Sequence, residues 1–185
     1  MSNIAIITDS TAQFPNPNFS GKRIVRVLPL DIFLNGRRHI EGEGIHVTDF
    51  PQSARSTSDP KLITPPVNEI AEYLSALLRK FNELLVIVNS AELTDTYQNT
   101  IEAVKLLQAS SVIQVINSQT ISTGLGILVQ LGAELVAKGA TLTEIDRQVR
   151  QLVPHVYTLM CSPSLSYLHN NGAIEYHQAA VGEIL

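Results

Sequence analysis

The stretch Ile4-Ala5-Ile6-Ile7-Thr8-Asp9-Ser10-Thr11 places four consecutive apolar residues in front of four polar ones. So short a run is no helix, and an unbroken apolar run needs cover on both faces, so it reads as a buried strand that empties into a polar loop. The pattern returns twice. Residues 84–88 are followed by Asn89-Ser90-Ala91-Glu92-Leu93-Thr94, and residues 112–116 by Asn117-Ser118-Gln119-Thr120. Helical periodicity fills the intervals. Ile70, Leu74, Leu77, Leu78 and Phe81 form one stripe, and Ile101, Val104 and Leu107 another. Residues 125–138 are apolar nearly all round, which predicts a helix buried from several sides and stopped by Gly139. Parallel neighbours need a crossover between them, so the expected fold is α/β, a mostly parallel sheet with helices on both faces.

The flanking text adds detail. Residues 25–34 form a second β-prone run, closed by the hairpin signal Asn35-Gly36 and returning through 37–40. Residues 41–61 are polar and interrupted by Pro51 and Pro60, with Thr48 placed to cap a short helix. Thr64 before Pro65 reads as a hydroxyl cap followed by a first-turn proline. Thr141 and Glu144 form a capping box for a helix that buries Leu142, Ile145, Val149 and Leu152. Pro154 closes that helix and the text changes character. Residues 156–160 are expected to form a strand, Ser162-Pro163-Ser164 a helix start, and Asn170-Asn171-Gly172 a turn before a last helix. The expected division is a first domain over 1–153 and the beginning of a second, incomplete α/β domain over 154–185.

Composition removes several functions. The 185 residues are 44% hydrophobic and 16% charged, enough apolar material for a core, and the formal charge is −4. The densest basic runs are Lys22-Arg23 and Arg37-Arg38, so no nucleic-acid partner is expected. No run reaches the roughly 18 apolar residues of a membrane span. One cysteine, Cys161, and no leader-like N-terminus point to a reducing, cytoplasmic setting; inert and reactive readings of that thiol stay open. The five histidines are scattered and read as surface residues, with no metal site. Gly124-Leu125-Gly126 opens like a dinucleotide fingerprint, but Val129 stands where the third glycine belongs. Close packing of a buried helix explains these glycines better. No phosphate-cradling Gly-x-x-x-x-Gly-Lys loop is present, and no cofactor is expected.

Ligands of open α/β sheets sit beyond the carboxyl ends of the strands. Here those loops are rich in hydroxyls: Thr8, Ser10 and Thr11 beside Asp9; then Ser90, Thr94 and Thr96; then Ser118, Thr120, Ser122 and Thr123. Hydroxyls and free N–H groups at helix starts suit a carboxylate or phosphate. They also suit simple helix capping. Asp9 has no second carboxylate beside it, so it is expected to organise the loop rather than hold a metal.

Four segments together resemble the DegV family of fatty-acid-binding proteins: Ile4-Ala-Ile-Ile-Thr-Asp-Ser-Thr11, Val27-Leu28-Pro29-Leu30, Leu93-Thr-Asp-Thr-Tyr-Gln98 and Asn117-Ser-Gln-Thr-Ile-Ser-Thr-Gly-Leu-Gly126. The third is similar to the family's Leu-Ser-Gly-Thr-Tyr-Gln, with Thr94 for the serine and Asp95 for the glycine. The resemblance covers the family's N-terminal domain and the start of its second. It implies a non-catalytic carrier that holds a long-chain, palmitate-like fatty acid with its tail in a tunnel and presents it to a separate fatty acid kinase subunit. It places the serine hydroxyl that meets the carboxylate at Thr94, within an expected ligand-binding set of Thr94, Thr64, Thr96, Ser90, Asp9, Ser10 and Ser118. The threonine of the family's Thr-Ser-Gln-Pro loop falls on Leu62, and Gly172-Ala173 takes the place of a Gly-Arg pair. Two alternatives stand beside this reading. One is a small α/β domain that binds or acts on a phosphorylated metabolite; the other is a protein-interaction module that has lost lipid binding, compatible with a homo-oligomer.

Overall fold

The computed structural model describes residues 3–40, 47–50, 60–159, 165, 169 and 174–182. In chain order the strands are β1 (Ile4–Asp9), β2 (Val25–Leu28), β3 (Asp31–Leu34), β4 (Arg37–Ile40), β5 (Lys61–Ile63), β6 (Glu83–Val88) and β7 (Ile113–Asn117). The α-helices are α1 (Val67–Leu78), α2 (Thr96–Leu106), α3 (Ser122–Ala137), α4 (Leu142–Leu152) and α5 (Tyr176–Gly182). The chain folds into two units, residues 1–30 with 64–158 and residues 31–63 with 159–185. The contiguous division expected from the sequence put 31–63 with the first strands. Instead β3, β4 and β5 pair with one another and not with the parallel sheet.

In the first unit β1, β2, β6 and β7 form a parallel sheet in the order β2-β1-β6-β7. Alternation along each strand divides the apolar residues between two layers. Ala5, Ile7, Leu84, Val86, Val88 and Val115 meet the layer of α1 and α2, with Ile70, Leu74 and Ala103. Ile4, Ile6, Leu85, Ile87 and Ile116 meet the layer of α3 and α4, with Leu128, Val129, Ile145 and Val149. This two-sided cover explains the unbroken apolar runs, and it adds about 1.5–3 kcal/mol for each large side chain fully buried.

Helix ends follow local chemistry. α4 carries the expected capping box: the Thr141 hydroxyl accepts the Glu144 N–H at 3.4 Å, and Glu144 Oε2 accepts the Thr141 N–H at 2.9 Å. α3 ends at Gly139, whose φ of 85° lets its own N–H reach Val136 O and the Ala140 N–H reach Leu135 O. That pair of bonds is the Schellman arrangement. α3 starts at Ser122, three residues before the apolar run. Its close packing is real: a Cβ on Gly126 would stand 1.9 Å from the carbonyl oxygen of Gln13.

Three expectations are corrected. The run 25–34 is two strands, because Pro29 has no N–H to give a ladder and the chain leaves the parallel sheet there. Thr64 is not the cap of α1. Pro66 holds that position with extended backbone, and no side chain caps the helix. Residues 156–159 form no strand; among the described residues no strand pairs with them, and Tyr157 and Leu159 are almost fully exposed. The predictions for Ser162-Pro163-Ser164 and Asn170-Asn171-Gly172, along with Cys161 and Ala173, lie outside the described residues.

The second unit holds the antiparallel sheet β4-β3-β5 and, separately in sequence, α5. Its hairpin turns at Asn35 and Gly36 with φ of 51° and 76°, the two positive values that a type I′ turn requires. Asp31 and Arg38 form an ion pair beside it. Thr48 falls inside a single 3-10 turn, Val47–Asp49.

Candidate functional site

The order β2-β1-β6-β7 reverses direction at β1: the chain moves first to one side of it and later to the other. Loops diverge at such a point and leave a crevice beyond the strand ends, which is where ligands of open α/β sheets settle. Asp9 closes β1 there, and Asn89 follows β6.

Asp9 is fully buried and joins the ends of β1 and β6. One carboxylate oxygen accepts the Thr11 N–H at 2.9 Å and the Thr11 hydroxyl at 2.5 Å; the other accepts the Asn89 N–H at 2.6 Å. Burial pushes the carboxyl above its ordinary value, and these hydrogen bonds pull the other way. Asp9 therefore ties the first loop to the second, as expected of a loop organiser. Ser10 acts similarly: its hydroxyl accepts the Leu30 N–H at 2.9 Å and fixes the chain where it leaves β2.

Thr94 stands just before α2, partly buried. Its hydroxyl donates to Asn89 Oδ1 at 2.7 Å and lies 2.8 Å from the Thr96 hydroxyl, while also accepting the Thr96 N–H at 3.3 Å. Asp9, Asn89, Thr94 and Thr96 thus form one connected chain of hydrogen bonds. The first turn of α2 contains no acidic residue, while Asp95 holds the N-cap position without capping the helix through its side chain, so the helix start already carries one carboxylate.

Ser90 and Ser118 belong to the neighbouring part of the rim. The Ser90 N–H donates to Thr120 O at 2.9 Å, and its hydroxyl accepts the Glu92 N–H at 3.3 Å. Ser118 is fully buried and donates to Thr120 O at 3.1 Å. The Thr120 hydroxyl in turn lies 2.7 Å from that of Thr158. Gln119 and Ser122 take left-handed backbone, φ 54° and 59°, an arrangement that non-glycine residues adopt rarely and mostly at constrained loops. Thr64 is not joined to this network by a hydrogen bond among the described residues. It precedes Pro65, whose carbonyl accepts the Asn99 side-chain amide of α2 at 3.0 Å. Sequence reasoning singles out neither Asn89 nor Asn99; an asparagine in a polar loop gives no signal beyond turn preference.

The sequence model of the DegV family, described as uncharacterised proteins, matches residues 3–185. The chain belongs to the DegV family. Among DegV relatives, a DegV domain-containing protein of Caldanaerobacter subterraneus subsp. tengcongensis is 29% identical over all of this chain. A second, from Clostridium acetobutylicum, is 26% identical over a 190-residue alignment that also takes in the whole chain. The chain spans 65% and 66% of their respective lengths. Among solved structures, a DegV family protein from Thermus thermophilus described by its fatty acid binding matches with a TM-score of 0.82 at 26% identity, covering 99% of this chain and 65% of that one. A DegV family protein from Eubacterium eligens, described as loaded with heptadecanoic acid, shares the fold with a TM-score of 0.73 at 16% identity, over 98% of this chain and 65% of its own. Among the described residues, no helix is long and apolar enough to cross a membrane.

Proposed function

We propose that this DegV chain is a non-catalytic carrier that receives the carboxylate of a long-chain fatty acid at the rim around Thr94. A separate kinase subunit would act on the carried acid. The observation that carries the proposal is the likeness, over nearly the whole chain, to the Thermus thermophilus protein described by its fatty acid binding. The rim supports it physically. Hydroxyls and the Asn89 amide lie together at the switch point beside the start of α2, and donors are what a carboxylate needs. Affinity would come from the tail, at about 0.8 kcal/mol per methylene removed from water, before ordering costs. Leu62 supplies no hydroxyl; it sits in β5 with an apolar, half-exposed side chain. Each missing hydrogen bond to a charged head group is worth about 1.5–3 kcal/mol. Weaker binding than in a relative with the full donor set follows.

Replacing Thr94 by valine keeps the branched shape and removes the hydroxyl. In titrations of delipidated protein with palmitate, the T94V variant should bind roughly 10-fold weaker or worse. Equal affinity for wild type and variant would remove Thr94 from the site.

A further inference from the structure

Two side-chain atoms among the described residues are buried with no hydrogen-bond partner, Asn89 Nδ2 and Thr8 Oγ1. Both residues are fully buried. Both stand at the switch point, since Thr8 pairs in register with Ile87, two residues before Asn89. Buried polar groups are nearly always paired, so an amide closed to bulk water and left without an acceptor requires an explanation.

Its surroundings supply one. The Asn89 backbone N–H is fixed on Asp9 at 2.6 Å, and its Oδ1 accepts the Thr94 hydroxyl at 2.7 Å. With the hydroxyl hydrogen given to Oδ1, the amide is held with its NH2 as the free end. Turning the amide over would leave Oδ1 unpartnered instead, so one end is open in either orientation. Oδ1 and Nδ2 share a carbon, so Nδ2 lies within roughly 5 Å of the Thr94 hydroxyl, and with the one hydroxyl hydrogen given to Oδ1 it is the amide that is left to donate there. A carboxylate offers acceptors only, and it selects the orientation with NH2 free.

We infer that Asn89 is a ligand-contacting residue: its buried amide donates to a carboxylate oxygen of the bound fatty acid, and Thr94 orients it. This rests on the fatty-acid reading and adds to it a residue that decides between head groups. An alcohol or ester of the same chain length lacks the charge that strengthens this bond, so Asn89 separates acid from alcohol while leaving the tail's contribution alone.

The test uses the full chain, delipidated and 15N-labelled, titrated with palmitate and with palmityl alcohol. In the wild type the Asn89 side-chain NH2 resonances, assigned by their absence from N89D, should move with palmitate and stay with the alcohol. N89D, which turns the donor into a like charge, should bind palmitate at least roughly 10- to 100-fold more weakly and the alcohol about as well as wild type. Should N89D fail to fold, Asn89→Ser removes the amide without adding charge and should also lose palmitate selectivity. NH2 resonances that ignore palmitate, or variants that bind it as tightly as wild type, would overturn the assignment while leaving the fatty-acid reading intact. Wild-type protein that binds neither ligand would overturn both.

Discussion

Replacing Gly126 by alanine is expected to destabilise the first unit by about 3 kcal/mol, lowering the melting temperature by roughly 10 °C. The added Cβ would stand 1.9 Å from Gln13 O and 2.7 Å from its carbonyl carbon. Backbone cannot swing aside as a flexible side chain can. The Gln13 N–H is also bonded to Ser122 O at 3.1 Å, which holds this loop against the start of α3. A control lies six residues on. Alanine at Gly132 would meet only side-chain atoms at 3.5–3.8 Å, an ordinary packing distance, and it gains helix propensity of about 0.8–1.0 kcal/mol. G132A should melt at or above wild type. Thermal unfolding of the two variants side by side checks the contrast, and equal melting temperatures would contradict the packing of α3 described above.

The second large effect belongs to Asp9. Alanine there strips the acceptor from the Thr11 N–H, the Thr11 hydroxyl and the Asn89 N–H, and Asn89 is fully buried. Stranded buried donors cost about 1–3 kcal/mol each, so D9A should lose about 3–5 kcal/mol in denaturant unfolding. Asp9→Asn should lose less, because one oxygen remains to accept from Thr11. The asparagine variant also gives the pH dependence a sign. Burial holds the folded pKa of Asp9 above its unfolded value of 3.8. A raised carboxyl contributes stability that is fully present below the unfolded pKa and is lost as pH rises through the folded pKa. Asparagine does not titrate. The stability gap between wild type and D9N should therefore narrow as pH is raised from below 3.8 towards neutrality. A gap that widens over that range would contradict the burial of this carboxyl.

Features governed by local chemistry are legible in the sequence. The apolar runs of β1, β6 and β7 follow from alternation losing its meaning between two helical layers. The I′ turn at Asn35-Gly36 and the capping box at Thr141 and Glu144 depend on residues two or three apart, and both stand as read. Thr64 misleads because two prolines follow it. A residue before proline is kept out of helical backbone, so neither Thr64 nor Pro65 can enter the helix, and α1 waits until Val67. The β-prone stretch at 156–159 has the right composition but, among the described residues, no strand to pair with, and a strand without a partner is not a strand. Asn89 cannot be found from the sequence at all. Its significance comes from Asp9, 80 residues away in the chain, and from a hydroxyl that holds one end of its amide while the other stays unpaired.

The claim on which the site, its donors and the carrier role all depend is that this chain holds a fatty acid. Mass spectrometry of the native protein, purified without delipidation and sprayed from non-denaturing solution, tests it most directly. The expected spectrum shows a population heavier than the bare chain by the mass of one long-chain fatty acid, which is released on acid denaturation and displaced by added palmitate. A spectrum of the bare chain alone, unchanged after incubation with excess palmitate, would contradict the account.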